Sequence, residues 1–267
     1  MLDGKTAVVT GGGTGIGAAI ATLFASKGAH VVITSEMAEA AMHPVVDRIL
    51  AAGGRADAKT CDVTDRPAIA RLIAEVEREH GRLDILVQSA GVCFWEPIEQ
   101  LSAQKIDLMF GVNVIGPISM IQAALPLMKR TGGGAIVNIA SGAVVLGVNE
   151  FAVYSATKAA MAHFTRTLAP ELRRTNIRIN AIGPGSVRTP MLGFVSEELT
   201  PEQQAGMIRR EARSMSPYGN PIMEPEDIAE VALFLVSDAA RGLHGSFVLA
   251  DQGVSSAMTP PANADQG

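Results

Sequence analysis

Cysteine is nearly absent: Cys61 and Cys93 are the only two in 267 residues. They stand far apart and without metal-ligand spacing, which excludes a disulfide framework and a zinc ribbon and suits a reducing cytosol. Both read as small buried hydrophobes. Basic clusters are missing too. The chain carries 22 Lys+Arg against 27 Asp+Glu, a net charge of −5, which argues against a nucleic-acid or anionic-membrane surface. No apolar run reaches the roughly 18 residues of a membrane span. The first strand-like run lies within a few residues of Met1, so no signal peptide is expected. The five histidines (His30, His43, His80, His163 and His244) show no spacing that suggests metal ligation, so no metal is expected. His163, nine residues beyond Tyr154 on one helical run, reads as structural. A soluble cytoplasmic protein is the expectation.

Apolar residues are plentiful, at 48% of the chain, enough for a large core. Strand-like runs at 6–10, 30–34, 56–61, 83–88, 134–140, 177–182 and 246–250 alternate with helical patterns near 15–27, 37–52, 66–80, 103–130, 154–174 and 225–237. Such alternation means an α/β fold, a parallel sheet with right-handed crossovers and helices on both faces. Ile85-Leu86-Val87 and Ala135-Ile136-Val137 lack polar alternation, as strands buried on both sides do. Val114 to Met128 is apolar on more faces than one sheet contact needs, which predicts burial against another subunit. Asp65-Arg66-Pro67 reads as an N-cap followed by a first-turn proline.

The rhythm breaks from Gly185 to Pro225, where Pro190, Pro201, Pro217, Pro221 and Pro225 flank a short helical patch near 202–213. A lid over a site at the strands' carboxyl ends would lie there. One catalytic domain is expected over 1–258, with a substrate loop at about 186–224 and a frayed tail over 259–267.

Two motifs carry chemistry. The run 6–9 leads directly into Thr10-Gly11-Gly12-Gly13-Thr14-Gly15-Ile16-Gly17, and apolar residues then recur at helical spacing. Strand, glycine turn and helix is the context of a dinucleotide fingerprint, in which the backbone approaches a pyrophosphate at a helix N-terminus. The second motif is Tyr154 and Lys158, four apart and so on one helix face, with Ser141 thirteen residues upstream. A nearby cation favours the phenolate and pulls the tyrosine pKa from about 10 towards the working range. Ser141 would hold a substrate oxygen while Tyr154 gives or takes its proton.

Further blocks join these: Cys61-Asp62-Val63, Ser89-Ala90-Gly91, Asn113-Val114-Ile115-Gly116, Pro184-Gly185 with Thr189, and Asp251-Gln252-Gly253. In this order the blocks resemble the short-chain dehydrogenase/reductase family over roughly residues 5–253. The resemblance implies a single Rossmann-type domain, strand order 3-2-1-4-5-6-7, commonly assembled as a tetramer. It implies four catalytic residues: Tyr154 as general acid/base, Lys158 lowering its pKa and bonding the nicotinamide ribose, Ser141 orienting the substrate oxygen, and Asn113 opening its helix to bind a relaying water. It also implies a cofactor set. Gly11, Thr14, Gly15, Ile16 and Gly17 would form the phosphate turn, Asp62 and Val63 would meet the adenine, and Ala90 and Gly91 would lie beside its ribose. Pro184, Gly185, Val187 and Thr189 would hold the nicotinamide. Gln88-Ser89 stands where the family usually has two asparagines, removing amides that tie the sheet to this pocket. Gln252 replaces a common glycine and is expected to alter only a turn.

Ser35 falls where family members that use NAD carry an acid, and Glu36 follows where many NADP users carry Arg. Thr14 likewise stands where NADP users often have a cation. An anion and no cation at this edge favour NAD. The substrate pocket is expected from Val144, Leu146 and Val148 after Ser141, from Cys93, Phe94 and Trp95, and from Met191, Leu192 and Phe194. These residues are apolar and without charge, which suits a secondary alcohol or ketone with a hydrophobic body. The alternative is a 3-oxoacyl-thioester reductase acting on acyl-carrier protein or CoA, for which Lys129, Arg130, Arg209, Arg210 and Arg213 are the candidate basic partners. A dinucleotide-binding regulator without chemistry is the remaining alternative, set against by the joint presence of Asn113, Ser141, Tyr154 and Lys158.

Overall fold

The computed structural model describes residues 1–192 and 222–256. Phe194, the patch at 202–213, Arg209, Arg210, Arg213, most of the expected loop and the tail 259–267 lie outside the described residues, as does the side chain of Leu192.

Seven strands form one all-parallel sheet: β1 (Thr6–Thr10), β2 (His30–Ser35), β3 (Arg55–Thr60), β4 (Ile85–Gln88), β5 (Gly134–Ile139), β6 (Ile177–Pro184) and β7 (Phe247–Ala250), in the order β3-β2-β1-β4-β5-β6-β7. Residues of period two go to opposite faces. Ala7, Val9, Val31 and Ile33 enter the core on one side, while Val8 and Val32 enter the core on the other. The first core is closed by α1 (Gly15–Ser26), α2 (Glu39–Ala51) and α7 (Pro225–Val236). The second is closed by α3 (Arg66–His80), α5 (Gly116–Arg130) and α6 (Ala152–Leu172). Strand order reverses between β1 and β4, so a crevice opens beyond their carboxyl ends, the usual ligand position in such sheets.

The helical pattern at 103–130 is three elements. α4 (Ala103–Phe110) runs into a π-helical turn at Gly111–Ile115 that carries Asn113, and α5 follows. π-turns inside helices mark functional sites, and this one agrees with the opening that the family resemblance implies. The same segment corrects the reading of apolar runs. Ala103–Arg130 is long and apolar enough to cross a membrane by length and composition. Half of its most apolar window is buried inside the fold, where α5 packs on α3 and α4 on α6.

Other expectations shift as well. Asp65 occupies the N-cap position of α3, with Pro67 in the first turn, yet its carboxylate accepts no capping bond. It lies 3.6 Å from Arg71 instead. Arg130 ends α5 and pairs with Glu77 of α3 at 2.6 Å. Because α5 runs antiparallel to the strands, Lys129 and Arg130 sit at the opposite end of the sheet from the crevice. His163 is exposed. The histidines are not all apart: His30 and His80 meet beside Asp57, their ring centroids 4.3 Å from each other.

Candidate active site

A cleft of about 860 Å³ lies beyond the carboxyl ends of β1, β2, β4, β5 and β6, within the range of small-molecule sites. One end is built by the glycine turn. Gly11 adopts φ +63° and Gly17 abuts it so closely that a Cβ at Gly17 would stand 2.1 Å from the Gly11 carbonyl oxygen. Only glycine allows this return of chain onto chain. Thr14 provides no side-chain cap to α1, so the first-turn amides face the cleft with the positive end of the helix dipole behind them. That cradle fits a pyrophosphate. Gly11, Thr14, Gly15 and Ile16 line the cleft, whereas Gly17 supports it from behind.

At the outer rim, Ser35 is buried and Glu36 exposed. The Ser35 hydroxyl donates to Glu36 Oε2 at 2.9 Å and accepts from the Met37 amide at 3.3 Å. Ser35 therefore orients Glu36, and the carboxylate is the group presented to the rim. Asp62 Oδ1 accepts from the Thr64 amide and hydroxyl, both at 2.8 Å, fixing Asp62 beside Val63 on the same wall. The wall beyond β4 is tied by Thr10, whose Oγ1 accepts from the Ser89 and Ala90 amides at 3.2 and 3.1 Å. Gln88 makes a tie of its own, donating from Nε2 to the Pro117 carbonyl at 2.8 Å, so one amide bridge survives the departure from the family pattern. Opposite, Pro184, Gly185, Val187 and Thr189 all line the cleft. Val187 bridges to Met223, and the Thr189 methyl lies over Gly15.

The inner end holds the reactive groups. Ser141 begins the short turn Gly142–Val144, its Oγ accepting from the Ala143 amide at 3.1 Å. Tyr154 and Lys158 lie one turn apart on α6, both buried. Lys158 Nζ donates to the Ile139 carbonyl at 3.0 Å and stands 5.7 Å from the centre of the Tyr154 ring. The Asn113 amide oxygen accepts from the Val92 amide, and its Nδ2 donates to the Val92 carbonyl and to Thr157 Oγ1, at 2.9, 2.9 and 3.1 Å. Asn113 thus locks the chain after β4 onto the catalytic face of α6.

Burial drives the Tyr154 phenol above its ordinary pKa; the Cys93 thiol adds to the rise, and a hydrogen bond with Ser141 opposes it. Burial also pulls Lys158 down to about 8, with Cys93 opposing. The expectation that the lysine lowers the phenol is thereby corrected for this state: desolvation sets the direction at Tyr154, and Lys158 is not among the groups that shift it. A protonated phenol at neutral pH is a proton donor.

A family model described as "Enoyl-(Acyl carrier protein) reductase" matches residues 11–255. Versicolorin reductase 1 of Aspergillus parasiticus is 37% identical over 255 residues, covering 94% of this chain and 97% of that protein. The 3-oxoacyl-[acyl-carrier-protein] reductase FabG of Thermotoga maritima is 33% identical over 253 residues, covering 95% and 98%. Among solved structures, a 7 alpha-hydroxysteroid dehydrogenase complexed with NADH and 7-oxo glycochenodeoxycholic acid superposes with a TM-score of 0.86 at 34% identity, covering 94% of each chain. The chain belongs to the short-chain dehydrogenase/reductase family. It is therefore an oxidoreductase of that family.

The short-chain dehydrogenase/reductase frame brings four of the seven expected apolar substrate residues whose side chains are described to the inner end: Trp95, Leu146, Val148 and Met191 line it with Ser141 and Tyr154. Three do not. Val144 is displaced because the turn at Gly142–Val144 sends Ala143 inward instead. Phe94 and Cys93 pack with Met109 and Phe151 behind the wall, where burial pushes the Cys93 thiol up to about 11. Phe151 was not anticipated; it lines the cleft and meets Tyr154 edge-on, centroids 5.1 Å apart. Nor was Glu150, which brings an acid to a wall read as uncharged. Glu150 adopts φ +63°, a conformation that its residue type does not announce. Asp251 and Val254 also reach the cleft. The Asp251-Gln252-Gly253 block was the signal for them, and there Gln252 takes the left-handed φ of +54° that glycine adopts freely.

Proposed function

We propose that the protein transfers hydride between NAD and a secondary alcohol or ketone with a hydrophobic body. The observation that carries this reading is one continuous cleft with a phosphate cradle at one end and Ser141, Tyr154 and Lys158 at the other. Bound nicotinamide dinucleotide would supply or accept the hydride. The α1 turn would hold its phosphates, Glu36 and Asp62 its adenosine, and Lys158 with Thr189 its nicotinamide half. In the reductive direction Ser141 would donate a hydrogen bond to the substrate carbonyl, and Tyr154 would deliver the proton to that oxygen. Asn113 would hold the Lys158 face in register. Trp95, Leu146, Val148, Phe151 and Met191 would exclude water from an apolar substrate body, with the loop 186–224 as the proposed lid.

NAD is favoured over NADP because Ser35 turns the Glu36 carboxylate onto the rim, where a 2′-hydroxyl would be bonded and a 2′-phosphate repelled. Wild-type protein is expected to give a kcat/KM with NADH at least about tenfold that with NADPH, and Glu36→Gln to narrow the gap by an amount near one charge repulsion, about 1 kcal/mol. A preference for NADPH in the wild type would refute the assignment. The assay is a screen of hydrophobic ketones and secondary alcohols with both dinucleotides, following nicotinamide absorbance.

Reduction of a 3-oxoacyl thioester is the second reading, favoured by the likeness to the Thermotoga maritima reductase. It is weakened by Glu150 in the cleft wall and by the placement of Lys129 and Arg130 at the far end of the sheet. A 3-oxoacyl-CoA belongs in the same screen, and its reduction ahead of every simple ketone would favour this reading. We also infer a cytoplasmic homotetramer built around the exposed Phe110 and Ile115; sedimentation as a monomer would contradict it.

A further inference from the structure

Far from the cleft, β2, β3 and α3 bring together three side chains that the proposed chemistry does not use. His30 is the first residue of β2, Asp57 lies inside β3, and His80 ends α3. Ser35, at the other end of β2, marks the cleft, about 16 Å away along the strand. Ligand atoms of the three residues all lie within 4.8 Å of one another. Both imidazoles turn Nε2 towards one carboxylate oxygen: His30 Nε2 is 2.6 Å and His80 Nε2 is 3.4 Å from Asp57 Oδ2.

We propose that His30, Asp57 and His80 form a site for a divalent transition-metal ion, zinc above all, that staples the edge strand β3 to β2 and α3. The donor set is two imidazole nitrogens and one carboxylate oxygen, which suits zinc and its neighbours rather than calcium or magnesium. Around a tetrahedral zinc with bonds near 2.0–2.1 Å, ligand atoms stand about 3.3 Å apart. The His80–Asp57 separation already has that value. The His30–Asp57 pair must open by less than an ångström, and both of its side chains are partly exposed. His80 Nε2 is buried and makes no hydrogen bond, although it faces a carboxylate oxygen. A buried imidazole nitrogen is normally bonded, and a cation between the two groups would supply the missing partner to His80 Nε2. The nearby carboxylates are engaged elsewhere: Lys59 Nζ lies 3.0 Å from Glu79 and 3.9 Å from Glu75. Three protein ligands then leave a fourth position to water.

The test is calorimetric titration of zinc chloride into the chelator-stripped full chain without an affinity tag. One equivalent is expected to bind, and saturation at about 100 times the dissociation constant should raise the melting temperature by roughly 5 °C. Asp57→Asn and His80→Gln should each weaken binding at least about tenfold while keeping the wild-type circular dichroism and dinucleotide affinity. Cobalt(II) added to the wild-type chain provides a measurement that needs no variant: the intense visible bands of a low-coordinate nitrogen–oxygen site are expected. Zinc binding unchanged in both variants, uptake only at millimolar zinc, or a cobalt spectrum identical to the aqua ion would each overturn the proposal.

Discussion

Tyr154→Phe is expected to lower turnover by at least about a thousandfold while leaving dinucleotide affinity nearly unchanged. The phenol is buried against Phe151 and Met109, and phenylalanine keeps that edge-on packing, so the fold should stand. Only the hydroxyl is lost, and with it the proton that must reach the substrate oxygen. Because burial holds the phenol above its ordinary pKa, the tyrosine is present as an acid throughout the neutral range. Ketone reduction should therefore be level near pH 7, whereas alcohol oxidation, which needs a proton acceptor, should gain rate as the pH rises. Turnover within tenfold of wild type in the Phe variant would remove Tyr154 from the mechanism.

Lys158→Met should abolish activity and stabilise the protein. The ammonium is buried, and its pKa falls from 10.5 to about 8 chiefly through desolvation. That fall corresponds to roughly 3 kcal/mol of cost to the folded state while the lysine is charged in both states. Below pH 8 the cost is carried in full. Between pH 8 and 10.5 the unfolded chain binds more protons than the folded one, so wild-type stability from this group rises with pH. Methionine removes the cost but leaves the Ile139 carbonyl without its 3.0 Å partner, which returns about 1–2 kcal/mol. The net expectation at pH 7, without dinucleotide, is a melting temperature a few degrees above wild type. The gain should shrink by pH 10. A melting temperature below that of wild type at pH 7 would show that Lys158 is held by stronger favourable contacts than the Ile139 bond.

The sheet was legible because its strands other than β3 are short β-branched or apolar runs, and because alternation with helices leaves few topologies. Element bounds moved by at most two residues at most ends. The glycine turn and the Tyr154–Lys158 pair were legible for a different reason: their geometry is set within a few residues of chain. What the sequence hid depends on long-range folding or on unusual backbone. His30, Asp57 and His80 are 27 and 23 residues apart in sequence, and only the pairing of β2 with β3 and the end of α3 unites them. Glu150 reaches the cleft through a left-handed φ. The π-turn at Gly111–Ile115 cannot be told from α-helix by apolar periodicity, and Asn113 signalled it only through the family likeness. The direction of the pKa shifts at Tyr154 and Lys158 was not legible, because spacing shows proximity but not depth of burial.

The central claim is hydride transfer coupled to proton delivery by Tyr154, and isotopic transfer measures it directly. NADH carrying deuterium at the transferable nicotinamide position would be incubated with the wild-type chain and a hydrophobic ketone taken from the screen, and the alcohol analysed by mass spectrometry. One deuterium at the carbinol carbon is expected with the wild type, and no detectable alcohol with Tyr154→Phe. Alcohol formed without deuterium at that carbon, or labelled equally fast by the Phe variant, would contradict it.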